Sequence, residues 1–241
     1  MLIKDNISLN YSKKTRHRKN IRFLIIHYTG MQSKRVSLKR LQNLKSKVSC
    51  HYLIDRNGAI IKMVGDNKTA WHAGKSKWKN INNLNKYSIG IELQNKGHFL
   101  GYQNFPNKQI LTLIKLIKKL IKKYKIKKAN VLGHSDIAPL RKLDPGEKFP
   151  WRLLSIKGAA IWYPKYRLKK YNFRLKIKRK IFFRNVYKLG YRYFNLSKPS
   201  KNDQKIIKAF QRRYLPKEVN GKITDKTLII SQLLVQVSKF T

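Results

Sequence analysis

The 241-residue sequence predicts a mixed α/β fold, a central mixed β-sheet flanked by helices, with a small three-helix bundle at the C-terminus. Two observations carry this expectation. Over the first 155 or so residues, short apolar runs of strand-like texture are interleaved with helix-like repeats, and that order builds a sheet covered by helices. Beyond Trp151 the texture changes: residues 162 to 180 are rich in Tyr, Lys and Arg without clear periodicity, and the last 60 or so residues read as helices alone. The expected organisation is a first domain over 1–165 with its core at about 20–155, a linker at 166–174, and a helical domain over 175–241.

Residues 22 to 27 form a short apolar strand that ends at His27, just ahead of Thr29-Gly30. A strand end opening into a loop holds a side chain both rigid and accessible. Ser37 to Lys47 has helical spacing, with Leu38, Leu41 and Leu44 on one face, and His51 through Val64 reads as a hairpin turning at Asn57-Gly58. In Ser88–Leu93, Ile89, Ile91 and Leu93 alternate with Gly90 and Glu92, so Glu92 lies on the face opposite the aliphatics. From Asn107 to about Lys125 an amphipathic helix carries Ile110, Leu113, Ile114 and Ile117 on one side and a lysine row on the other. A core-facing helix is the first reading of that pattern, and a membrane-surface helix the second. Ala129 to Gly133 is a short strand delivering His134. The C-terminal helices are expected at Ile181–Leu189, Asp203–Tyr214 and Thr224–Val237, the last capped at Thr224 or Asp225 after an Asn220-Gly221 turn.

Composition narrows the function classes. The chain is 41% apolar, enough for a real core, and its 57 Lys and Arg against 10 acids give a net charge of +47. Such a charge attracts polyanions. Lys, Asn and Ile are nevertheless abundant in every segment, as an AT-rich coding sequence would leave them, and no nucleic-acid recognition motif or paired-cysteine module occurs, so a specific nucleic-acid partner is not expected. Cys50 is the only cysteine, which excludes an internal disulfide and a cysteine metal site. The N-terminus lacks a signal-peptide apolar core and no stretch reaches about 18 apolar residues, so the expectation is a soluble monomer without a transmembrane segment.

Only three glutamates occur, and one of them, Glu92, sits in an aliphatic strand. A catalytic zinc commonly takes three His or carboxylate ligands, and His27, His134 and Asp144 fit that count. Their spacing alone does not set a geometry. Asp136 is a second carboxylate candidate, more in keeping with a structural loop residue, and Asp144-Pro145-Gly146 could equally be a plain turn. His17 and His98 have no supporting context.

Five segments in order carry a resemblance: Ile25–Gly30 (IIHYTG), Val48–Asp55 (VSCHYLID), Ala70–Gly74 (AWHAG), Ser88–Leu93 (SIGIEL) and Gly133–Pro139 (GHSDIAP) with Lys142–Gly146 (KLDPG). Over about residues 20–155 the chain resembles the zinc-dependent N-acetylmuramoyl-L-alanine amidases, nearest the AmiD and AmpD branch. The resemblance implies the fold of peptidoglycan recognition proteins and one Zn²⁺ held by His27, His134 and Asp144. It implies Glu92 as catalytic acid/base and Lys142 as the group that stabilises the oxyanion. His51, His72, Tyr52 and Asn95 become candidates for substrate contact, although the two histidines could as well hydrogen-bond within the groove wall. The reaction implied is hydrolysis of the amide between N-acetylmuramic acid and the L-alanine of the stem peptide, in peptidoglycan or in muropeptides released from it. A non-catalytic peptidoglycan-binding or polyanion-binding protein is the alternative.

Residues from about 175 to 241, with Ala209-Phe-Gln and Gly221-Lys-Ile-Thr-Asp225, resemble the small helical peptidoglycan-binding domain. Phe210, Leu228 and Leu233 serve equally well as plain core. A wall-binding module points to the cell envelope or periplasm and to polymeric substrate; the lack of a visible signal peptide points to the cytoplasm and to recycled fragments.

Overall fold

The computed structural model describes residues 3–164 and 175–240. Strands β1 (Ile3–Asp5), β3 (Phe23–Tyr28), β4 (Tyr52–Ile54), β5 (Ile60–Lys62), β9 (Ser88–Leu93) and β10 (Val131–Gly133) form a six-stranded sheet in the order β1-β5-β4-β9-β3-β10. Every neighbouring pair is parallel except β4 and β5, the two arms of the hairpin at Asn57-Gly58, so the sheet is mixed as expected. Two small antiparallel pairs lie outside it, β2 (Tyr11–Ser12) with β6 (Thr69–Ala70) and β7 (Lys77–Trp78) with β8 (Ile81–Asn82). In the central ladder His27 is paired with Glu92.

The helices are α1 (Lys34–Gln42), α2 (Asn107–Tyr124), α3 (His134–Ile137), α4 (Trp151–Ile156), α5 (Leu175–Leu189), α6 (Asp203–Tyr214) and α7 (Asp225–Val237). α1 differs from the expected Ser37–Lys47. It starts three residues earlier because the Ser33 hydroxyl accepts the Val36 N–H as N-cap. It stops at Gln42, where Asn43 caps a separate 3₁₀ turn over Leu44–Ser46. α5 also begins six residues ahead of the expected Ile181. The strand expected from Ala129 starts only at Val131, since Ala129 and Asn130 belong to a 3₁₀ turn. α6 and α7 fall where the sequence places them, with Thr224 capping α7 through the Thr227 N–H. The expected linker at 166–174 lies outside the described residues.

The two faces of the sheet are built differently. Leu24, Ile26, Ile54, Ile89, Ile91 and Leu93 point to one face and meet the apolar stripe of α2, where Ile110, Leu113, Ile117 and Leu120 are buried. Each such side chain contributes roughly 1.5–3 kcal/mol by leaving water. The opposite face has two covers. Phe23, Ile25 and Leu132 pack with α5, α6 and α7 in one cluster, while Leu53 and Ile61 pack with Leu41 of α1 in another. His27 and Glu92 belong to this second face, between the covers. Among the described residues no helix is long and apolar enough to cross a membrane.

Candidate metal centre and active-site groove

His27 arrives on β3, His134 is the first residue of α3 directly after β10, and Asp144 lies on a loop where its own carbonyl accepts the Ser135 N–H at 2.8 Å. The three side chains converge. His27 Nδ1 and His134 Nδ1 are 2.9 Å apart, and each is 3.0 Å from Asp144 Oδ2. All three residues are buried.

The hydrogen bonds behind these groups decide which nitrogens are bare. Ser88 Oγ donates to the Leu84 carbonyl at 2.6 Å, so it can only accept from His72 Nε2 at 3.2 Å. His72 Nδ1 is then an acceptor for His27 Nε2–H at 3.1 Å, and His27 Nδ1 carries a free lone pair. On the other side His134 Nε2 lies 3.1 Å from the Ala73 carbonyl, which can only accept, and His134 Nδ1 is likewise free. Two imidazole lone pairs and a carboxylate oxygen therefore point at one spot without a proton between them. That is the donor set a tetrahedral zinc takes, together with the hydrogen bonds on the far ring nitrogens that orient ligating histidines. The residues fit the metal.

The electrostatics agree with this assignment. Burial, and next the neighbouring His134, hold His27 down to about 4, so its ring stays neutral near pH 7. Burial would raise the Asp144 carboxyl, but positive charge placed on the His134 and His27 side of the cluster outweighs it and holds Asp144 well below the usual carboxylate range, as a bound cation would. Glu92 behaves in the opposite sense. Burial foremost, with the nearby Asp144 charge, pushes it up to about 8 against the pull of Lys142. The side chain reaches the groove, while its Oε2 is sealed from solvent without a hydrogen-bond partner among the described residues.

These groups line an open groove of about 1000 Å³, bounded by α1 on one side and by the Arg141–Asp144 loop on the other. Lys142 is half-buried in its wall. Trp71 and the exposed Phe99 add aromatic surface. Trp71 lies in the Ala70–Gly74 segment, whereas Phe99 does not stand out in the sequence, and nor does Arg141, whose guanidinium donates to the carbonyls of Ala73 and Lys75 and so braces the same wall.

Of the four candidates for substrate contact, three lie away from the groove lining. His51 is fully buried, takes the Gly90 N–H on Nδ1 at 3.0 Å and lies against Arg16. Burial, and then the Arg16 charge, keep it down to about 3. Tyr52 is on the α2 face and donates to Asp66 at 2.6 Å. Asn95 is buried and ties its own loop together through the Gly97 N–H and the Gln103 carbonyl. His72 alone touches the groove, but its ring nitrogens are committed to His27 and Ser88. Asp136 is excluded as a ligand because both carboxylate oxygens face away into a network with Gly133, Tyr191 and Arg213. His98, without context in the sequence, links Tyr28 at 2.8 Å to Glu147 at 3.1 Å beside the Asp144 loop.

Residues 17–147 match the family described as N-acetylmuramoyl-L-alanine amidase. The chain is 35% identical over 231 residues to the N-acetylmuramoyl-L-alanine amidase AmiD of Escherichia coli, covering 90% of this chain and 83% of that one. It is 42% identical over 114 residues to the 1,6-anhydro-N-acetylmuramyl-L-alanine amidase AmpD of Haemophilus influenzae, covering 46% of this chain and 60% of that one. Among solved structures, E. coli AmiD in complex with the substrate anhydro-N-acetylmuramic acid-L-Ala-D-gamma-Glu-L-Lys superposes with a TM-score of 0.79 at 31% identity, covering 94% of this chain and 92% of that one. AmpDh3 of Pseudomonas aeruginosa gives a TM-score of 0.80 at 29% identity over 98% and 99% of the two chains.

Proposed function

The chain belongs to the N-acetylmuramoyl-L-alanine amidase family and is an enzyme of that class, and from this premise we propose how its residues divide the work. His27, His134 and Asp144 hold one zinc ion; Glu92 is the acid/base and Lys142 the oxyanion partner. The observation that carries this reading is the meeting of two imidazole nitrogens and a carboxylate oxygen within 3.0 Å of one another, beside the sealed Glu92 carboxyl.

Bound zinc polarises a carbonyl oxygen as a Lewis acid and lowers the pKa of a coordinated water to about 7. Glu92 takes the proton from the attacking water as the bond to the lactyl carbonyl carbon forms. It returns that proton to the L-alanine nitrogen as the C–N bond breaks, leaving a carboxylic acid and an amine. Burial raises the Glu92 carboxyl while Lys142 and a bound cation pull it down, and a group whose proton affinity is balanced in this way serves both halves of that cycle. Lys142 places a positive charge on the same wall, close enough to act on both Glu92 and His27, and so favours the negative oxygen of the tetrahedral state.

For substrate, we carry over to this chain the anhydro-muropeptides named with its relatives, together with the peptidoglycan they derive from. The C-terminal helices, as a wall-binding module, favour the polymer and a site of action in the cell envelope. Their Phe210 and Leu228 are core residues, so a binding surface would have to use other side chains. The described site is complete within one chain, which suits a monomer.

Digestion of purified sacculi and of a purified anhydro-muropeptide by wild type and by Glu92→Gln, with bound zinc measured, tests these roles. The expected outcome is release of stem peptides bearing N-terminal L-alanine by the wild type, loss of about 10²–10⁴-fold in rate for the variant, and roughly one zinc in both. Equal rates would remove Glu92 from the mechanism, and absence of zinc from both would remove the metal assignment. Retention of the Glu92→Gln protein on sacculi tests the wall-binding role of the C-terminal helices.

A further inference from the structure

A one-turn helix is a poor foundation for a metal ligand. α3 spans only His134–Ile137, too short to be stable by itself. Asp136 Oδ2 accepts the Gly133 N–H at 2.8 Å and closes the turn locally. The rest of its support comes from much farther along the chain. Arg213, on α6, donates from Nη1 to Asp136 Oδ2 and from Nη2 to the Val131 carbonyl at 3.0 Å. One guanidinium thus bridges the two ends of Val131–Asp136, with His134 between them. The Tyr191 hydroxyl, just past α5, donates to Asp136 Oδ1. Asp136, Arg213 and Tyr191 are 1%, 3% and 1% exposed, so no water competes for these bonds. The guanidinium also lies over the Trp151 ring, 4.0 Å from its centroid.

We propose that Arg213 and Tyr191, supplied by the C-terminal helices, are positioning residues of the metal centre: they hold Asp136, and through it the turn that aims His134. The effect extends to a second ligand, because the Ser135 N–H of the same turn holds the Asp144 carbonyl. The C-terminal helices are then a structural half of the catalytic site, whatever else they bind. This inference rests on the assignment of zinc to His27, His134 and Asp144. It differs from simple stabilisation because the contacts bracket a ligand instead of being spread over the interface.

The test uses the full chain and reads zinc affinity by competition with a chelator, alongside the melting temperature of the metal-free protein. Tyr191→Phe removes one hydroxyl and is expected to weaken zinc binding about tenfold; Arg213→Met is expected to weaken it by up to about a hundredfold, with Arg213→Lys between Met and wild type. Phe183→Leu loosens the same hydrophobic cluster at a ring that packs on Phe182 and Phe194 and makes none of the hydrogen bonds to Asp136. It is expected to lower the melting temperature at wild-type zinc affinity. The proposal is overturned if Tyr191→Phe and Arg213→Lys bind zinc like wild type, or if Phe183→Leu loses as much affinity for the same drop in melting temperature. Should Arg213→Met fail to fold, Tyr191→Phe decides. A wild-type protein that holds no zinc would overturn the metal assignment itself, and this proposal with it.

Discussion

The two faces of the central sheet have nearly the same strands behind them and opposite jobs. The α2 face is continuous and apolar: Ile89, Ile91 and Leu93 meet a helix whose buried stripe matches theirs, and none of the proposed catalytic groups lies on it. The other face is split between α1 and the C-terminal helices, and the strip left uncovered carries His27 and Glu92. Stability and chemistry are thereby separated by one residue of strand alternation. A neighbour in sequence to a core isoleucine is a neighbour in space to the candidate metal site.

Substitutions on the two faces should therefore fail in different ways. The largest effect on stability is expected from Ile117→Ala under α2, about 2–5 kcal/mol by chemical denaturation, with zinc affinity of the folded protein unchanged. A loss of zinc affinity there would break the separation. Gly90→Ala, on the site face, should cost less stability, about 1–3 kcal/mol, and much more function. A Cβ at Gly90 would stand 2.3 Å from the His72 ring, so His72 must move and release its hold on His27. Zinc competition should show at least about tenfold weaker binding.

A smaller effect separates the faces by pH. In metal-free protein the Glu92 carboxyl is raised from 4.5 to about 8, so the folded state keeps a proton that the unfolded chain has lost. Its contribution to stability is complete below pH 4.5 and is lost as pH rises through about 8. His27 and His51, depressed to about 4 and 3, act in the opposite sense, with stability rising as pH climbs towards 6.5. Subtracting the stability curve of Glu92→Gln from that of the wild type cancels the histidines and should leave a fall between pH 4.5 and 8. A flat difference would mean that Glu92 is better solvated than its sealed Oε2 indicates. The smallest effect is expected from Lys118→Gln with Lys119→Gln on the exposed side of α2, within about 0.5 kcal/mol and without change in activity.

The same contrast explains how much of the molecule is legible in its sequence. The α2 face is written in periodicity: alternation along Ser88–Leu93 and a helical repeat from Asn107 predict which side chains are buried, and they are. The candidate metal ligands are legible because the ordered segments around them match a family. The support behind them is not. His72 can be placed in the groove region but not behind His27, since the partner of an imidazole is chosen by the fold and leaves no local pattern. Arg213 and Asp136 are 77 residues apart and obey no repeat, and in a chain with 57 basic residues one buried arginine has nothing to mark it out. The early start of α1 escapes a sequence reading because it depends on the Ser33 cap instead of an apolar stripe.

The pairing of His27 with Glu92 across β3 and β9 has a further consequence. Adjacent strands sit about 4.8 Å apart, held by backbone hydrogen bonds that do not depend on side-chain identity. The interval between the proposed metal ligand and the proposed proton carrier is thus a lattice constant of the sheet. Loops around the groove are free to diverge and alter which glycopeptide is admitted, while the reach of the proton transfer stays as it is unless two strands slip.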